Sequence, residues 1–115
     1  MDYQITSDNI QISESMKELA KSKLTKLETR LKEIPDGSKS FRVVLNGAPD
    51  EKFEVKVEAV INGKQYFSEE TDYSLESALI LVAEELNKQF EKSKMYEQNW
   101  EEKREAKRFS EEINE

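Results

Sequence analysis

Apolar residues recur along this chain with two periods, and each change of period marks a new element. Tyr3 to Thr6 alternate apolar and polar, which predicts a short first strand. Ser7-Asp8-Asn9 breaks the alternation, and Ile10 and Ile12 follow. The spacing then changes to steps of three and four. Met16, Leu19, Ala20, Leu24, Leu27 and Leu31 form one apolar stripe on a helix. Ser13 is placed to cap that helix, and Glu14 favours the positive end of its dipole. Pro35 blocks its continuation and Gly37 allows a turn.

Three more alternating runs follow. Phe41, Val43 and Leu45 share one face of the first, and Asn46 to Glu51 reads as a loop, with Asn46-Gly47 as a turn. In the second run Phe53, Val55, Val57, Ala59 and Ile61 face inward, while Glu54, Lys56 and Glu58 face water. Asn62-Gly63 is a favoured two-residue hairpin turn, and Lys64 to Glu70 returns as the paired strand. This alternation suits an antiparallel sheet with one wet face. A second helix starts at Ser74, with Ala78, Leu79, Val82, Leu86 and Phe90 on its apolar face. The order is β-α-β-β-β-α. Two helices with one apolar face each fit one face of a four-stranded sheet, a two-layer α+β domain. The core pattern fades around Met95, so residues 1–95 read as the domain and 96–115 as a charged C-terminal tail. Trp100 and Phe109 in that tail are candidates for docking on a partner.

Composition narrows the function. The 115 residues suit one modest core and leave little room for a deep enclosed active site. There is no histidine and no cysteine, which removes zinc sites of the Cys/His kind and histidine-based nucleophilic triads. Catalysis would have to run on carboxylates, lysines or tyrosines, so a non-enzymatic role is expected, with no metal, cofactor or small-molecule substrate. Without cysteine no disulfide forms, and a cytoplasmic protein is the simplest reading. No run approaches the ~18 apolar residues of a membrane span, and the first residues lack the pattern of a secretory signal. No membrane association is expected.

Charge is the informative feature. The chain carries 25 acidic and 18 basic residues, a net charge of −7. Between Glu14 and Glu33 the balance reverses, with six basic residues against four acidic ones. Lys23, Lys26 and Arg30 are spaced to line one side of the first helix, and Lys17 and Lys21 form a further i,i+4 pair. Lys88 and Lys92 repeat that spacing on the second helix, with Lys94 just beyond. If the helices pack side by side, these rows join into a phosphate-binding surface whose affinity comes from charge neutralisation. The competing reading is a set of solvated helix faces, with Glu84–Lys88 an ordinary i,i+4 pair, and on pattern alone it is the commoner outcome. The other candidates are weaker. Asp72 and Tyr73 suit a helix-start turn, and Glu69 and Glu70 point to opposite faces of a strand and do not share an ion.

The order of motifs adds to this reading. Ile5-Thr6-Ser7, then Ile12-Ser13, then Lys23-Leu24-Thr25-Lys26-Leu27-Glu28 resembles the first strand and helix of the ribosome hibernation promoting factor and protein Y family, once labelled sigma-54 modulation proteins. Residues 57–79, "VEAVINGKQYFSEETDYSLESAL", resemble that family's third strand, hairpin, acidic loop and helix start. "ELNKQFEKSK", from Glu85 to Lys94, resembles its second-helix signature, and the similarity covers about residues 1–95, as in the short form of the family. Glu85 stands where many members carry lysine, and Lys88 where they carry arginine, which keeps the charge and loses the bidentate fork.

The resemblance implies a translation inhibitor that binds the small ribosomal subunit in the channel for messenger and transfer RNA and holds ribosomes inactive under stress or in stationary phase. It implies ribosomal RNA contacts at Lys17, Lys23 and Lys26 on the first helix and at Lys88, Lys92 and Lys94 on the second. Arg30 joins them by its place on the same stripe. A monomer is expected, with the remainder of the surface acidic and repelling other RNA. The alternative from another class is a diverged protein-interaction or regulatory module on the same fold.

Overall fold

A computed structural model describes residues 2–93. The elements are β1 (Asp2–Thr6), α1 (Glu14–Arg30), a 3₁₀ turn (Asp36–Ser38), β2 (Lys39–Ala48), β3 (Lys52–Ile61), β4 (Lys64–Asp72) and α2 (Leu75–Lys92). The chain therefore follows the β-α-β-β-β-α order, and the four strands form one sheet in the order β1-β2-β3-β4.

The sheet is mixed. β2, β3 and β4 form an antiparallel meander, but β1 joins β2 in parallel, with Tyr3 opposite Phe41 and Ile5 opposite Val43. A helix between two neighbouring strands carries the chain back across the sheet, so the second strand restarts in the direction of the first. The β3–β4 hairpin turns at Asn62 and Gly63 with φ of 51° and 81°, the pair of positive values that a two-residue turn of this kind demands.

The β2–β3 connection differs from the turn expected at Asn46-Gly47. Both residues lie inside β2, opposite Glu54 and Phe53, and the chain turns at Pro49, Asp50 and Glu51 instead. Asn46 is buried because the β1–α1 loop folds over it: its Oδ1 accepts from the Asp8 N–H at 2.9 Å and from Ser7 Oγ at 3.2 Å. Asn9 extends the same edge, donating from Nδ2 to the Gly47 carbonyl at 2.9 Å and accepting the Gly47 N–H at 2.8 Å. A Cβ at Gly47 would lie 3.2 Å from Ile10 Cγ2, so the loop comes close only because no side chain is there.

Both helices begin as the sequence predicts. Ser13 Oγ accepts the Met16 N–H, and Ser74 Oγ accepts the Ser77 N–H, each satisfying a donor that the first helical turn leaves open. Ala20, Leu24 and Leu27 of α1, with Leu31 beyond it, and Leu75, Ala78, Leu79, Val82, Leu86 and Phe90 of α2 are buried against the sheet. The sheet meets them with Phe41, Val43, Leu45, Val55, Val57, Ala59, Ile61 and Tyr66. Two edge-to-face aromatic pairs close the flanks, Tyr3–Phe41 at 5.5 Å and Tyr66–Phe90 at 4.9 Å. Lys39 is a further core member with no apolar signal. It is 4% exposed, and its Nζ donates to the Leu31 carbonyl at 3.0 Å and pairs with Asp36 at 3.4 Å, which caps the C-terminal end of α1.

Tyr3 ties β1 to α1. Its hydroxyl donates to Glu28 Oε2 at 2.9 Å. Burial first, and then the hydrogen bond and charge of Glu28, raise the Tyr3 phenol above its ordinary value of 10.0. The unfolded chain therefore loses this proton at lower pH than the folded one. The stability it contributes is complete below pH ~10 and declines as pH rises from there toward the folded value. Urea unfolding at pH 8 and above pH 10 should show that decline, and Tyr3→Phe should make it shallower. An unchanged decline in the variant would assign the alkaline loss to other groups.

Candidate nucleic-acid interface

α1 and α2 lie side by side and run in the same direction. Lys23, early in α1, meets Glu76 at the start of α2, and Arg30 at the end of α1 meets Asn87 and Glu91 near the end of α2. Between them runs a groove of about 530 Å³ lined by Ser22, Lys23, Lys26, Leu27 and Arg30 on one wall and Ile80, Ala83, Glu84 and Asn87 on the other. Its floor is apolar and its α1 wall is cationic.

The helical period explains which residues share that wall. Lys23, Lys26 and Arg30 follow at three and four residues and flank the buried Leu24-Leu27 stripe on the side of α2. Lys17, Lys21, Glu28 and Lys32 fall on the opposite flank, the side from which Glu28 reaches Tyr3 of β1. Lys17 therefore does not share the groove with the other α1 candidates. It pairs instead with Glu14 at 3.5 Å.

The α2 candidates are also split from the groove. Glu76, Ile80, Ala83 and Asn87 lie on the flank toward α1. Lys88 and Lys92 are exposed and fall on the other flank with Leu81 and Glu85, near the side where Gln89 Nε2 donates to the Phe67 carbonyl of β4 at 2.7 Å. Among the described residues neither lysine makes an ion pair, so the expected Glu84–Lys88 pair is not formed. Lys94 and the tail with Trp100 and Phe109 lie outside the described residues. The cationic surface is thus two rows separated by the top of α2, not one continuous face.

Electrostatics inside the groove are partly self-neutralised. Lys23 Nζ lies 3.1 Å from Glu76 Oε1. Arg30 Nη1 lies 3.1 Å from Glu91 Oε1 and donates to Asn87 Oδ1 at 3.0 Å. Lys26 makes no ion pair among the described residues. The sequence holds the signal for the cationic wall, but the cross-helix carboxylates are visible only once the helices are placed.

The opposite, uncovered face of the sheet carries Glu54, Glu58 and Glu69 against Arg42 and Lys56, an acidic excess. Asp72 caps locally, accepting the Tyr73 N–H at 2.7 Å. Glu69 and Glu70 point to opposite faces of β4, one exposed and the other half-buried. Among the described residues no cluster of three or more potential metal ligands occurs, and no helix is long and apolar enough to cross a membrane.

A two-layer β-α-β-β-β-α domain with a cationic groove between parallel helices is the class this architecture defines. The chain belongs to the family described as Sigma 54 modulation protein / S30EA ribosomal protein, whose profile matches residues 3–97. Among solved structures it is similar to the N-terminal domain of Thermus thermophilus Protein Y, with a TM-score of 0.64 and 24% identity, covering 77% of this chain and 94% of that one. It is also similar to a ribosomal subunit interface protein from Coxiella burnetii, with a TM-score of 0.63 and 18% identity, covering 83% of this chain and 99% of that one. Comparison with curated proteins gives no match.

Proposed function

We propose that this protein is a ribosome-associated factor that binds the small ribosomal subunit, occupies the channel used by messenger and transfer RNA, and holds ribosomes inactive under stress or in stationary phase. Family membership supports the ribosome as partner. The single structural observation that carries the reading is the α1 wall of the groove, where Lys23, Lys26 and Arg30 line up in a chain of net charge −7. A cationic row in an otherwise acidic molecule gives a polyanion one preferred way to approach.

The mechanism is steric, and the protein acts in the cytoplasm as a monomer without a cofactor. The sheet and helices form a rigid plug, and the lysines and arginine fix its orientation through phosphates of ribosomal RNA. Lys88 and Lys92 form a second row for a different stretch of RNA, with Lys17 and Lys94 as outer contacts.

Co-sedimentation with small subunits across a salt series tests this. A phosphate interface predicts that log K falls linearly with log salt, with a slope of roughly −0.7 to −0.9 for each contact. Three to five contacts would cost about 10²-fold between 50 and 200 mM salt. No pelleting at low salt would reject the ribosome as partner and favour a protein-interaction module on this fold, for which Glu85 on the outer flank of α2 is the motivating residue.

A further inference from the structure

The groove's two strongest cations are not simply displayed; carboxylates from the other helix hold them. We propose that Glu76 and Glu91 are specificity-determining residues that compete with phosphate for Lys23 and Arg30, an inference that rests on the proposed use of the groove as a polyanion-binding surface.

Both pairs cross from α1 to α2 and both are at 3.1 Å, a full charge-assisted contact. Lys23 and Arg30 sit about 10 Å apart along α1, two helical turns. An incoming phosphate meets Lys26 without displacing a partner, but it reaches Lys23 or Arg30 only by replacing a carboxylate. Glu76 and Glu91 keep 58% and 52% of their side-chain surface exposed, so each can swing into water when replaced. The exchange costs little for a surface that supplies phosphates at both positions. It is unfavourable for a flexible strand that must order itself to do so. The free groove therefore has low affinity for RNA in general, and its cations become available to a rigid partner.

A different role for the same carboxylates makes the opposite prediction. If Glu76 and Glu91 served to hold Lys23 and Arg30 in a binding-ready pose, their neutralisation would weaken binding.

The test compares wild type, the double variant Glu76→Gln with Glu91→Gln, and a charge-matched control, Glu51→Gln with Glu69→Gln, which alters exposed positions in the β2–β3 turn and on the sheet's outer face. Each is titrated against purified small subunits and against a uridine oligonucleotide over a salt series, with thermal unfolding as a check on folding. The groove variant should bind both probes more tightly than the control by about 3- to 10-fold, with the larger gain on the oligonucleotide and a steeper salt slope. A gain no larger than the control's, or a loss, overturns the proposal. Failure of wild type to bind small subunits, with the oligonucleotide gain intact, would remove the ribosome reading and leave the competition standing.

Discussion

Replacing Lys23, Lys26 and Arg30 together by glutamate should weaken association with small subunits by about 10²–10³-fold, at roughly 1 to 1.5 kcal/mol for each charge-assisted hydrogen bond to phosphate that is removed. The fold should survive, because these side chains border the groove and the core lies beneath them in Leu24, Leu27 and Leu31. The reversal does place new carboxylates beside Glu76 and Glu91, a cost that exposed pairs of this kind keep near 1 kcal/mol or below. The glutamine version of the same triple variant avoids that repulsion and should still abolish most of the binding. Reversal of Lys88 and Lys92 should cost less, about 10-fold, because only two cations change and they lie on the far flank of α2. Sedimentation with purified small subunits, beside thermal unfolding by circular dichroism, reads both effects. Wild-type pelleting by the folded triple variant would move the interface off the groove.

Phe90→Ala should bring the domain close to unfolding. Phe90 is fully buried at the last turn of α2 and packs edge-to-face on Tyr66. Truncating a buried phenylalanine costs about 3–5 kcal/mol. A domain of this size has only about 5–14 kcal/mol in total, at roughly 0.05–0.15 kcal/mol per residue. The same substitution at Phe67, 53% exposed on the outer face of β4, should cost about 0.5 kcal/mol or less. Urea unfolding of the pair measures the contrast. Equal midpoints for the two variants would mean that the burial of α2 against the sheet is wrong.

Those two phenylalanines also show why most of the fold was legible in the sequence. Phe90 closes a stripe of apolar residues at three- and four-residue steps, and burial follows that stripe from Ala78 onward. In β3, Val55, Val57, Ala59 and Ile61 alternate with charges, and the buried face is the one the alternation selects. Ser13, Ser74 and the Asn62-Gly63 turn act through contacts within a few residues, which a local pattern captures. Asn46-Gly47 misleads for the same reason. Its local signal says turn, but its partners Ser7, Asp8 and Asn9 lie some forty residues upstream and hold it in a strand. Lys39 gives no warning, since a lysine in a turn region reads as exposed until the carbonyl end of α1 is seen above it.

The candidate site was half legible. The spacing of Lys23, Lys26 and Arg30 predicts a shared row, and the helix delivers it to one wall. Periodicity also separates Lys17 from that row, but which flank meets α2 depends on how the helices pack. Lys88 and Lys92 share a row on α2 for the same reason, and nothing in their spacing says that it faces away from α1.

The parallel pairing of β1 has a consequence for handling the protein. β1 is five residues long and covers β2 from Ser40 to Val44, the run "SFRVV", whose other edge is already bonded to β3. Fraying or clipping at residues 2–6 would bare a row of amide and carbonyl groups on a β-branched and aromatic strand, the kind of edge on which a second molecule can template itself. The N-terminal strand thus acts as a guard against self-association, and preparations that lose it should aggregate before they unfold.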